Sequence, residues 1–344
     1  MISKRYTINI TNDIRFVESN LIVIKTLRGR FQIKGDNISL TVRDILSYFK
    51  DPAYIENVVS TISKKYNEGS LRKLIDYLLE MNILIDEYTN ETIQTYDRDF
   101  IDKTLYYTLG GSSLQEIVDK ITPKRIGIIG TKQIVECLLK DLINGGLLTN
   151  FDVGITEEIS DIIKIADNSK DKIINYSVIT DPDSMKLLVE NCDFIIVTSN
   201  YRNHYLFKQI NKLCIKMSKK WLRIMIDGDV SEVGPLFIPN ETCCYSCLNY
   251  RENSNKTKEK YIFDSLFEGS KLQNNLEEKS LGLYSIYPIN LLTSAIACSE
   301  IMKFLTGLTC NLLNQVIRVN GIDFEIQNDT IFKYHLCSDC SESW

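Results

Sequence analysis

Apolar positions in the first ninety residues follow two different periods. Ile14–Val17, Leu21–Leu27 and Phe31–Ile33 are short β-branched or aromatic runs, broken by Glu18-Ser19-Asn20, Arg28-Gly29-Arg30 and Gly35-Asp36-Asn37. This predicts a small antiparallel set of strands. The period then lengthens. Leu40, Val42, Ile45, Leu46 and Phe49 fit one helical face, which Asp51-Pro52 ends. Ile55, Val58, Val59, Ile62 and Tyr66 predict a second helix. Leu71, Leu74, Ile75, Leu78 and Leu79 predict a third, with Ser70 as its N-cap. Ile83-Leu84-Ile85 returns to an extended strand. Strands followed by three short helices predict a winged-helix-like α+β domain over residues 1–90.

Residues 91–122 read as a polar, partly helical arm, and residues 123–344 as a second domain. There, Ile126, Ile128 and Ile129 form a buried-strand run and Gly130 turns the chain. Ile134, Val135, Leu138, Leu139 and Leu142 then form a helical stripe. Strand, turn and helix in this order open a Rossmann-like α/β fold. The phosphate-binding version of the turn is GxGxxG, which lets backbone N–H groups approach the anion. From Gly130 this chain reads G-T-K-Q-I-V, so Lys132 and Val135 take the second and third glycine positions. Their side chains would crowd a pyrophosphate, although Lys132 offers a point charge. Phe194–Val197, Leu222–Asp227 and Leu236–Ile238 read as further strands, and residues 251–280 as a polar loop. Ile289–Leu305 reads as a helix, and Val316–Val319 with Asp323–Ile326 as a hairpin through Asn320-Gly321.

Composition narrows the class. Of 344 residues, 44% are hydrophobic and 25% charged, which fits about two soluble globular domains rather than a fibre or a disordered chain. No run of about 18 apolar residues predicts a membrane span. The first residues lack the apolar core of a signal peptide, so a bacterial cytoplasmic protein is expected. The net charge of −5 gives no general attraction to nucleic acid. Residues 1–110 carry 15 basic and 15 acidic side chains, without the basic face a DNA-reading winged helix needs.

The ten cysteines matter through their spacing. Cys137, Cys192, Cys214, Cys298 and Cys310 are isolated among apolar residues, as buried thiols are. Cys244-Tyr-Ser-Cys247 and Cys337-Ser-Asp-Cys340 form two CxxC pairs. Four thiolates at that spacing suit a tetrahedral structural Zn2+, and a closed shell leaves no position for substrate. Cys243 is an adjacent spare, and His335 reads as a bystander.

At GPLFIPNETCCYSCL, followed by HLCSDC, the second domain resembles the ThiF/MoeB family, the fold of ubiquitin-activating enzymes. With the N-terminal domain, the wording resembles the ThiF-like cyclodehydratase partner proteins of azoline-forming ribosomal peptide biosynthesis, the streptolysin S type C proteins. That resemblance implies an N-terminal recognition element that binds the leader of a bacteriocin- or cytolysin-like precursor peptide between its third strand and third helix. Phe31, Gln32, Ile33, Arg72, Lys73, Asp76 and Tyr77 are the matching contacts. It also implies an ATP-dependent YcaO partner that makes thiazoline or oxazoline rings, with a flavin dehydrogenase as a further partner and a homodimer as a common assembly.

Adenylating members of the family carry an acidic residue in a T-D-N stretch that holds Mg2+. Here the stretch is Thr198-Ser199-Asn200, and no cysteine lies between Cys247 and Cys298, where sulfur-transferring members have one. Gly130, Lys132, Ser199 and Asn200 therefore read as a degenerate nucleotide site. The resulting expectation is a non-adenylating subunit, without ATP and without catalytic residues of its own. The alternative is an active ATP-dependent enzyme of the ThiF/MoeB type acting on a peptide or carrier C-terminus, with Lys132, Asn200 and Arg202 as the residues to test.

Overall fold

The computed structural model describes residues 4–9, 12–26, 29–87, 104, 106–107, 114–121, 125–146, 150–155, 174–179, 181–254 and 287–341. The chain divides into two compact units, Met1–Val118 and Asp119–Trp344. Most of the predicted arm over residues 91–122 and most of the predicted loop over 251–280 lie outside the described residues.

The first unit runs β1 (Arg5–Ile8), β2 (Asp13–Glu18), β3 (Leu21–Thr26), β4 (Gly29–Lys34), α1 (Ile38–Tyr48), β5 (Ala53–Tyr54), α2 (Ile55–Ile62), α3 (Glu68–Glu80) and β6 (Leu84–Asp86). It contains two three-stranded antiparallel sheets, β2-β3-β4 and β5-β1-β6. Alternation in β3 and β4 turns Ile22, Ile24 and Ile33 inward, where they meet the helical stripes of Val42, Ile45, Val58, Ile62, Leu71, Ile75 and Leu78. The sequence reading missed β1. Its four residues alternate too briefly to register, and tertiary hydrogen bonds hold it: Ile8 N–H and Thr7 Oγ1 both donate to Phe49 O, at 3.1 and 3.0 Å. Helix α3 also starts earlier than predicted. Asn67, not Ser70, is its cap, and the Asn67 side chain accepts from the Ser70 amide at 3.1 Å.

The second unit holds β7 (Arg125–Gly130), α5 (Lys132–Asn144), β8 (Asn150–Ile155), β9 (Ile174–Val178), α6 (Pro182–Asn191), β10 (Phe194–Ser199), α7 (His204–Lys216), β11 (Lys220–Asp227), β12 (Val230–Phe237), α8 (Tyr245–Ser254), α9 (Tyr287–Thr306), β13 (Gln315–Asn320) and β14 (Ile326–Thr330). Helix α4 (Leu114–Ile121) spans the boundary between the units. The sheet order is β14-β13-β12-β11-β10-β7-β8-β9. Strands β9, β8, β7, β10 and β11 are parallel, and β12, β13 and β14 continue antiparallel. This is the expected Rossmann-like α/β fold. Its order reverses between β7 and β10, which is where open α/β sheets bind ligands, outside the carboxyl ends of the strands.

The closing hairpin differs from the reading. Its second strand begins at Ile326, and the turn covers Gly321 to Glu325. Asn320 Oδ1 accepts from the Ile322 amide and Asp323 Oδ1 from the Glu325 amide, both at 2.9 Å. These side-chain turns outcompete the tight two-residue turn that Asn-Gly favours. Among the described residues, α9 is long and apolar enough to cross a membrane by length and composition, and 61% of that stretch is buried inside the fold.

Candidate active site and metal centre

The switch point between β7 and β10 brings together two of the predicted nucleotide-site segments. A Cβ on Gly130 would lie 1.9 Å from Thr198 Oγ1 and 2.4 Å from the Thr198 carbonyl oxygen. Only glycine lets the end of β7 approach β10 this closely. Gly130→Ala is therefore expected to force the two strands apart, at about 1–3 kcal/mol as overpacking usually costs. A lowered melting temperature would check this.

Thr131 follows as the N-cap of the 13-residue α5, yet its side chain makes no cap hydrogen bond. Its Oγ1 is buried and has no hydrogen-bond partner among the described residues. A buried hydroxyl without a partner, at the positive end of a helix, suits an incoming anion. Lys132 stands beside it at half-buried depth. Across the gap, Ser199 Oγ is buried and accepts from the Tyr201 amide at 3.4 Å, and Asn200 is half-buried. The residues present thus fit a phosphate-bearing ligand. Thr131 escaped the sequence reading because a glycine count looks for backbone room and ignores side-chain donors.

Arg202, two residues past Asn200, leads into a buried charge cluster. Its Nη1 donates to Glu252 Oε2 at 2.6 Å, and its Nη2 lies 3.8 Å from Glu232 Oε1. Glu232 also pairs with Arg223, which is 1% exposed, and accepts from Arg318 Nε at 2.8 Å. Arg318 pairs in turn with Asp329. Burial would raise the Glu232 carboxyl, but Arg223, Arg318 and Arg202 outweigh it and hold the group at about 2. The cluster joins the end of β10 to β11, β12, β13, β14 and α8. No sequence pattern announced it, because its members lie far apart in the chain.

The two CxxC turns meet at the start of α8. The sulfur atoms of Cys244, Cys247, Cys337 and Cys340 all lie within 4.8 Å of one another. Separations are 3.8 Å for Cys244–Cys247, 3.5 Å for Cys244–Cys337 and 3.6 Å for Cys247–Cys340. A tetrahedral ion with metal–sulfur bonds of about 2.3 Å places its ligands about 3.8 Å apart, so the four thiols can hold a metal. Cys243 and His335 stand outside this group. Asp339 locks the two turns together, accepting from Ser246 Oγ at 2.5 Å and from Asn211 Nδ2 at 3.1 Å. Asn211 Oδ1 accepts from the Tyr245 amide at 2.9 Å. Asn211 and Asp339 orient the ligand turns without binding the ion.

In the first unit, β4 hydrogen-bonds to β3 and stands at the edge of its sheet. Of the predicted peptide contacts, Gln32 is exposed and Phe31 half-buried, while Ile33 belongs to the core. Lys73 and Asp76 are exposed on α3, and Tyr77 packs against the core. Arg72 is engaged by Glu56 at 2.8 Å and Glu68 at 3.0 Å.

Comparison with known proteins bears on both units. The ThiF family model matches residues 163–339. No protein of curated function matches the sequence. Escherichia coli MccB has a similar structure at 15% identity and TM-score 0.72, with 99% of this chain and 98% of that chain covered. Its complex with ATP matches at 15% identity and TM-score 0.69, and the microcin C7 biosynthetic enzyme MccB with N-formylated MccA at 15% and 0.71. Both cover 98% of this chain and 99% of that one. A heterocyclase in complex with substrate and cofactor matches at 13% identity and TM-score 0.63, covering 98% of this chain and 40% of that chain.

These findings correct the reading of a silent cyclodehydratase subunit that serves a YcaO partner. The two-way match, nearly end to end, is to MccB, whose structures include an ATP complex. The heterocyclase is the partial match. The expectations of azoline ring formation, of no ATP and of no catalytic residues fall with it. The last two rested on missing glycines at Lys132 and Val135 and on Ser199, the first on the resemblance at GPLFIPNETCCYSCL and in the N-terminal domain. The local geometry at Gly130 and Thr131 retains what an anion needs without those features.

Proposed function

This chain belongs to the ThiF family, and from that premise we propose that it is an ATP-dependent enzyme that adenylates the carboxyl terminus of a ribosomally made peptide. The observation that carries this reading is the nearly full-length similarity to MccB in both directions, over both units. MccB has been solved with ATP and with N-formylated MccA. An N-formyl group is what bacterial initiation leaves on a new polypeptide, which supports a ribosomal substrate.

In this reading the triphosphate lies over the carboxyl ends of β7 and β10. The first amides of α5, the Thr131 hydroxyl and Lys132 bind it, with Asn200 and Arg202 beside it. An oxygen of the peptide carboxylate attacks the α-phosphorus, the bond from that phosphorus to the bridging oxygen breaks, and pyrophosphate leaves with the electron pair. The products are an acyl-adenylate and pyrophosphate. The chain's part is to align the two anions and offset their repulsion.

Residues 1–90 are proposed to capture the peptide, with residues 123–344 as the ThiF-like catalytic domain. An extended segment can add to the free edge of β4 beside Phe31 and Gln32. Lys73, Asp76 and Tyr77 on α3 are the proposed side-chain contacts, with Ile33 and Arg72 supporting them. The winged-helix-like reading of this region belongs to the same proposal. The four cysteines are proposed to hold structural Zn2+.

Peptide-dependent exchange of labelled pyrophosphate into ATP by the purified chain alone is the test. Exchange is expected, with Lys132→Ala raising the KM for ATP about tenfold, as loss of a charge-assisted hydrogen bond would. No exchange with any peptide encoded beside the gene would defeat the proposal.

A further inference from the structure

Five buried side-chain oxygen atoms in the second unit lack a hydrogen-bond partner among the described residues, and the fold brings two of them to one corner. These two are Ser231 Oγ and Asn290 Oδ1, on residues 0% and 2% exposed. Ser231 pairs with Ile226 at the carboxyl end of β11 and with Val319 on β13. Asn290 lies in the first turn of α9, which packs on β11 and β12. Its neighbour Ile289 approaches Gly321, at 3.1 Å from where a Cβ would stand, and the Gly321 amide donates to Asp229 O at 2.6 Å. Asp229 immediately precedes β12. Asn290 and Ser231 therefore occupy the same corner, where β11 ends and α9 begins.

Glu232 lies on the face of the sheet that carries Arg223. Alternation along β12 places Ser231 on the opposite face, toward α9. The N-terminus of the 20-residue α9 adds the positive end of its dipole. Leaving two such oxygens unpaired in a native interior is costly, and their shared corner gives one place where a single partner could satisfy both.

Resting on the adenylation reading, we infer that this corner holds the carboxylate of the substrate peptide's last residue, with Asn290 and Ser231 as hydrogen-bond donors. A half-turn of the Asn290 carboxamide about χ2 presents Nδ2 where Oδ1 now stands. The corner lies about two strand spacings, or about 10 Å, from β10. It is thus on the reacting side of the nucleotide, away from Lys132. Its donors are neutral. An attacking carboxylate needs placement without the strong ion pair that would stabilise its ground state and slow attack.

The test uses wild type, Asn290→Asp, Asn290→Leu and Ser231→Ala, with peptides encoded beside the gene made as free acids and as C-terminal amides. Pyrophosphate exchange should show the KM for the free-acid peptide raised tenfold or more in both Asn290 variants. The KM for ATP should move less than twofold. In calorimetry, Asn290→Asp should lose affinity for the free acid but not for the amide. A purely structural asparagine would not distinguish the two peptides. A peptide KM within twofold of wild type, or an equal rise in both KM values, would overturn the inference. Ser231→Ala removes a single atom, and it carries the same test if an Asn290 variant melts early. Absence of exchange in wild type would instead sink the adenylation reading itself, and this inference with it.

Discussion

Removing the Zn2+ proposed at Cys244, Cys247, Cys337 and Cys340 is expected to unfold the second unit. The cluster closes a loop in which paired cysteines stand 93 residues apart, and that loop contains α9, β13 and β14. A structural four-cysteine zinc site contributes on the order of 10 kcal/mol, comparable with the whole stability of a typical domain. In a domain of this size each kcal/mol is worth about 2–4 °C, so the melting temperature should fall by more than about 20 °C on chelation. Cys337→Ser should do the same. The hydrogen bond from Cys244 and, against burial, the Tyr334 amide hold the Cys247 thiol below its ordinary range. Metal analysis paired with calorimetry checks the loss of stability. Metal-free protein that melts within about 5 °C of the loaded form would remove the structural role.

Glu232→Gln is expected to cost about 3–5 kcal/mol, because it strands the fully buried Arg223 without its carboxylate. Urea unfolding would read the loss directly. Arg318 and Arg202 also lean on Glu232, so the substitution should loosen Arg202 and weaken the proposed ATP binding as well. The carboxyl is held at about 2, below its ordinary range. Its contribution is therefore intact at neutral pH and vanishes only as the pH falls through about 2. Glu232→Gln should accordingly flatten the acid limb of the stability profile in its lowest part. An unchanged urea midpoint would mean that the pair is not sustaining the core.

Local periodicity made much of the fold legible. Helical stripes such as Leu71–Leu78 and continuous apolar runs such as Ile126–Ile129 each point to one kind of element. The two CxxC turns were legible because metal chemistry fixes ligand spacing. What escaped was long-range. β1 is held by Phe49, and Glu232 draws its partners from β11, β13 and the end of β10. Asn211 reaches Asp339 across 128 residues. The expectation of no ATP failed for a related reason. The glycine fingerprint records one way of making room for phosphate, whereas this chain offers Gly130 packed against Thr198 and a Thr131 hydroxyl with no partner among the described residues.

The order of the large sheet sets a delay in the birth of the molecule. Ile128 of β7 must find Ile196 of β10, 68 residues later in the chain. A ribosome has to deliver that whole intervening length before β7 can be flanked on both sides. Until then its apolar edge is open to wrong neighbours. Parallel strands joined across such distances form slowly and are prone to clumping meanwhile. Production at lower temperature, with chaperones in supply, should raise the yield of soluble chain more than any change at its surface.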